Sequence, residues 1–163
     1  MANAEVDTEE LVEKYRRVLA KIDGVTQTVL SGHFEIETHL DDVLALVFPR
    51  HQVLASLRLS FVQKATMVRA AMQHEENRLG WPLIFAFNRL RNEIAHARKS
   101  EKQAALINDL RTRLNGCVAE GEENPAARDN EKEIIVATAA ICSKFILGCK
   151  QTLTKAKLGV SEL

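Results

Sequence analysis

The segment Arg91-Asn92-Glu93-Ile94-Ala95-His96 brings together three side chains suited to chemistry at an anionic centre. The Arg91 guanidinium is a permanent cation with paired donors. The His96 imidazole belongs to the side-chain type that titrates near neutral pH, so it can give or take a proton there. The Asn92 amide both donates and accepts, and can orient a neighbour. No other stretch concentrates as much. The sequence has no Gly-rich phosphate loop and no Ser-His-Asp or Cys-His set, and Asn115-Gly116 is a turn signal. His33 with Glu37 and Glu35 with His39 are i,i+4 pairs, but they point to different faces and lack a third ligand. No metal or other cofactor is therefore expected.

The element that must carry these groups is a helix predicted over 81–98, with Pro82 suited to its first turn. At about 100° per residue, Leu83, Phe87, Leu90 and Ile94 form one narrow apolar stripe, with Ile84 on its shoulder. Phe85, Arg89, Asn92 and His96 fall nearly opposite, which marks that face for a second contact. Asn92 and His96 share it as an i,i+4 pair. Arg91 lies at the edge of the core face and about 140° around from His96. One protomer therefore does not easily aim both at a single atom: either the helix unwinds before His96, or another chain completes the site.

The Arg91–His96 block, with the polar Asn92 directly after the arginine, resembles the R-x4-6-H signature of the HEPN superfamily of small helical bundles. The segment 40–48, ending near Pro49, and Ser60-Phe61-Val62-Gln63-Lys64-Ala65 resemble the elements that precede it there. The likeness covers roughly residues 25–115 and is nearest in outline to the mannitol operon repressor branch. It implies a homodimer with two motifs facing one cleft. In many members it implies metal-independent endoribonuclease activity, in toxins or antiphage effectors; others keep the fold and act only in binding or regulation.

On that reading Arg91, Asn92 and His96 are the catalytic candidates. RNA supplies its own nucleophile, the 2′-hydroxyl beside each phosphodiester. His96 would act as base or acid, and two copies across a dimer could divide those roles. Arg91 would hold the phosphate and the charge that builds on it, and Asn92 would place the imidazole or an oxygen. The products would be a 2′,3′-cyclic phosphate and a 5′-hydroxyl. Arg89, Arg98, Lys99 and Lys102 form a local basic patch suited to RNA phosphates. Trp81 and Phe85 are candidates to stack bases. Phe85, Arg89, Asn92 and His96 are the candidates for the dimer interface. Blander roles compete: His96 against the helix C-terminal dipole, Arg91 paired with Glu93, Glu37 or Asp41, and Trp81 and Phe85 as packing residues.

Composition limits the alternatives. The chain has 163 residues, 46% of them hydrophobic, enough for one ordinary core without disulfide or metal. Basic and acidic residues balance at 22 each, so any nucleic-acid contact must be local. Cys117, Cys142 and Cys149 lack zinc or redox spacing and read as free thiols of a reducing cytoplasm. The polar, acidic start is unlike a signal peptide, and Lys144 interrupts the most apolar run, 134–149, so no membrane span is expected.

Helical spacing dominates the pattern. Helices are predicted from Asp7 (Leu11, Tyr15, Val18, Leu19, Ile22), over 25–48, over 60–72, over 101–118 and over 131–155, with 53–59 as a lead-in turn. Val29, Phe34, Ile36, Leu40, Val43, Leu44 and Val47 supply the apolar side of the second, and Gly32 is a candidate bend. The polar stretch 120–130 with Gly121 and Pro125 reads as a mobile loop, and 156–163 as a tail. The expectation is a single all-α domain over 1–163, an up-and-down bundle of five to six helices with its core over about 8–155. Its partners would be a second copy, RNA, and an antitoxin or other regulatory protein.

Overall fold

The computed structural model describes residues 24–72, 79–96, 101–117 and 130–158. They form an all-α bundle of six helices: α1 (Gly24–Val47), α2 (His51–Ser56), α3 (Phe61–Ala71), α4 (Gly80–His96), α5 (Glu101–Asn115) and α6 (Glu131–Lys157). The helix expected from Asp7, most of the 120–130 loop, and Arg98 and Lys99 lie outside the described residues. No helix among the described residues is long and apolar enough to cross a membrane.

Local chemistry sets several boundaries. Ser60 caps α3 reciprocally with Gln63: the Gln63 amide donates to Ser60 Oγ, and Ser60 N–H donates to Gln63 Oε1 at 2.8 Å. Asn130 caps α6 through its side-chain oxygen, with Glu131 and Glu133 in the first turn and Lys155 and Lys157 in the last, as the helix dipole favours. That helix reaches Lys157, two residues beyond the 155 read from the sequence. Pro49 follows the end of α1, and the predicted lead-in turn is the short helix α2.

Contacts fix the directions. The position a Cβ would take on Gly32 is 2.9 Å from Ala139 Cβ and 3.2 Å from the Phe87 ring. Lys150 Nζ meets Asp42 Oδ2 at 2.8 Å, and Lys157 Nζ reaches the Leu46 carbonyl at 3.3 Å. The α1 and α6 numbers rise together, so these helices run the same way. Gly32 allows their close approach, a use the sequence pattern did not distinguish from a bend. In α4, Phe87 lies by Gly32 while Gly80 abuts Phe145, so α4 runs against both neighbours. Lys102 pairs with Glu93 and Arg89 with Asp109, which sets α5 antiparallel to α4.

The core takes Val29, Ile36, Leu40 and Val43 from α1, Leu83, Ile84, Phe87 and Leu90 from α4, and Ile134, Ile135, Cys142 and Ile146 from α6. Phe34, read from the sequence as part of the apolar side of α1, is 69% exposed. Phe34 stands about 200° from Ile36, so both cannot face one core. The three thiols are free. Burial pushes Cys142 far above the ordinary thiol value and Cys149 up to about 11, so both remain protonated and unreactive at neutral pH.

Candidate functional site

α4 meets three environments at once, and each part of the motif has a different one. Leu83, Phe87 and Leu90 are buried as the periodicity predicts, with Ile94 half-buried at the end of the stripe. On the flank toward α5, Arg89 Nη2 lies 3.0 Å from Asp109 Oδ2, and Arg113 Nε engages the same carboxylate at 3.0 Å. Lys102 Nζ lies 2.6 Å from Glu93 Oε2. Two of the four residues assigned to an RNA-binding patch are thus held by acids of their own chain. Their charge is partly neutralised and their reach shortened.

On the flank toward α1, Asn88 is buried, and its Oδ1 lies 3.0 Å from Nε2 of the buried His33. The Phe61 ring covers the imidazole at a centroid distance of 4.2 Å, and Glu37 Oε2 lies 3.8 Å from Nδ1. Burial holds His33 below its ordinary pKa of 6.5; the Asn88 hydrogen bond opposes this, the Arg91 charge adds to it, and Glu37 opposes it without prevailing. Beside them Lys64 Nζ binds Glu37 Oε1 at 2.9 Å and Asp41 Oδ2 at 2.7 Å. Burial alone would lower the Lys64 pKa, but the bonds from Asp41 and Glu37 outweigh it and hold the ammonium above its ordinary value. His33 and Glu37, an i,i+4 pair in the sequence, have separate principal partners in Asn88 and Lys64.

Between these flanks lie the catalytic candidates. Arg91 is half-buried, and its Nη1 donates to Asn92 Oδ1 at 3.2 Å. The acids that could have neutralised it are engaged elsewhere: Glu93 by Lys102, and Glu37 and Asp41 by Lys64. Among the described residues Arg91 forms no ion pair, and no described acid neutralises its charge. Asn92 and His96 are exposed on one face, and His96 is the last residue of α4. The angular separation read from the sequence persists, because α4 is helical through His96.

The aromatic candidates fare differently. Trp81 is 4% exposed and meets Phe145 edge to face at 5.0 Å between centroids. Phe85 is half-buried against the core. Neither presents a ring to a base, because both are needed to close the bundle around α4. The residue that sequence reasoning missed is Asn88. Its signal was indirect: His33 falls on the apolar line of α1, four residues after Val29 and three before Ile36, and a polar group there needs a partner.

Comparisons of this chain with protein-family models, with curated proteins and with solved structures each find no match. The family resemblance therefore rests on the motif and its setting.

Proposed function

We propose that this chain is a HEPN-like, dimeric RNA-binding protein that cleaves RNA without a metal, as a toxin or defence effector does. The observation that carries the reading is the unneutralised Arg91 beside Asn92 and an exposed His96, in a protein that pairs its neighbouring charges. In the dimer Arg91 of one protomer and His96 of its partner bracket one phosphodiester. The guanidinium binds the non-bridging oxygens and the charge that builds on them. The His96 imidazole takes the 2′-hydroxyl proton, the 2′-oxygen attacks phosphorus, and water protonates the departing 5′-oxygen. A 2′,3′-cyclic phosphate and a 5′-hydroxyl remain.

A second reading is a non-catalytic regulator or interaction protein like those of the mannitol operon repressor branch. Tying Arg89 and Lys102 into ion pairs favours it, because that thins the basic patch an RNA would use. Incubation with total RNA in EDTA separates the two. The ribonuclease reading expects cleavage by the wild type and none by Arg91→Ala or His96→Ala. Intact RNA in all three samples would favour the regulator.

A further inference from the structure

With Trp81 and Phe85 turned to packing, the base-stacking role passes to another ring. Among the described residues Phe34 is the one Phe, Tyr or Trp side chain left exposed, at 69%, with Leu30 one turn before it at 40%. Its place along α1 is set by the residue before it. His33 is locked to Asn88 of α4, and Asn88 is one turn ahead of Arg91 and Asn92. Phe34 and Leu30 therefore border α1 at the level where α4 presents its unneutralised cation.

We propose that Phe34 is the platform on which a nucleobase of single-stranded RNA stacks while Arg91 holds the adjoining phosphate. This rests on the RNA reading above and names the part of the strand that the motif itself does not touch. An exposed ring at the same level as a guanidinium and an amide offers groups for the three parts of a nucleotide: a π-face, a phosphate and hydrogen-bonding edges. The acids on this side of α1, Glu37 and Asp41, are both held by Lys64, which reduces their repulsion of a phosphate. The apolar exposure of α1 is confined to Leu30 and Phe34, with Gln27, Ser31, Glu35 and Thr38 exposed around them. Within α1 that width is closer to one base than to the roughly 800 Å² that a protein contact covers on each partner. It suits one base.

The test uses the full chain and a fluorescent ten-nucleotide single strand whose 2′-oxygens are methylated, so that it binds but is not cleaved. The same strand without its bases is the control. Phe34→Ala is expected to bind the full strand about tenfold more weakly than wild type, with Phe34→Tyr and Phe34→Trp within about twofold. On the abasic strand, wild type and Phe34→Ala should be equal. Equal binding of the full strand by wild type and Phe34→Ala, with Arg91→Ala weakened, would overturn the platform and leave the RNA reading standing. A wild type that binds neither strand would overturn both. Two other results would give the face to a different occupant and also overturn the proposal. One is a Phe34→Ala variant that becomes monomeric where wild type is a dimer, which points to a second copy. The other is a variant that melts several degrees earlier, which points to residues of the same chain.

Discussion

Asn88 and Arg91 are one helical turn apart on α4, and the fold treats them in opposite ways. Asn88 is buried and satisfied by His33, from a helix 55 residues earlier in the chain, under the Phe61 ring. Arg91 is half-buried, and its hydrogen bond goes to the neighbouring Asn92 of its own helix. The acids that could have neutralised it are bound by Lys64 and Lys102. The first arrangement holds two helices together. The second leaves a charge that no described acid neutralises. A polar residue near a core is thus read by what meets it, and the Asn88 pair supplies the rigid setting in which an unneutralised guanidinium has a fixed position.

If that contrast is right, the largest effects should fall on activity at the exposed set and on stability at the buried one. Arg91→Ala and His96→Ala should each lower RNA cleavage by about 10²-fold or more, the scale of a lost acid–base or oxyanion contact. Their urea midpoints should stay near wild type, since neither group supports the fold. Asn88→Ala should do the reverse in stability, costing about 1–3 kcal/mol by leaving the buried imidazole unpartnered. For a chain of this size that is a fall of several degrees in melting temperature by calorimetry. The double variant His33→Leu with Asn88→Leu should be less destabilised than the sum of the singles, because no orphan remains.

A pH series sharpens the same comparison. The folded chain resists protonating His33, whereas the unfolded chain takes the proton around pH 6.5. The unfolded state then binds more protons, so stability is full above that value and falls as the pH drops through the window below it. Urea midpoints at pH 7.5 and 5.5 should differ less for His33→Gln than for wild type. The smallest effects belong to the exposed pairs toward α5. Lys102→Ala and Arg89→Ala should each change stability by about 0.5 kcal/mol or less and weaken RNA binding only modestly. A large loss of RNA affinity in Lys102→Ala would restore it to the binding patch.

The bundle was legible where apolar residues recur at helical spacing. The helices α1, α3, α4, α5 and α6 were read that way, while the Ser60–Gln63 box that starts α3 was not singled out. The short α2 has too few residues for a period to show. Placing Phe34 with the apolar stripe failed because hydrophobicity alone does not fix an angle, and Ile36 had already claimed the core side. Arg91, Asn92 and His96 were legible as a set because they are close in sequence. Asn88 was not, because its meaning depends on His33, and no local rule joins residues so far apart. The binding patch was overread for a related reason: Asp109 lies 20 residues past Arg89 and is seen to neutralise it only once α5 folds back.

In the proposed dimer, Arg91 of one protomer works with His96 of its partner. Mixing inactive Arg91→Ala with inactive His96→Ala and allowing the chains to exchange tests it directly, read out as cyclic-phosphate ends released from RNA. Two-fold dimers formed from equal parts should regain about a quarter of wild-type activity, because half are mixed and each mixed dimer keeps one intact site. A mixture that stays silent while chain exchange is verified and the wild type cleaves would contradict the shared site.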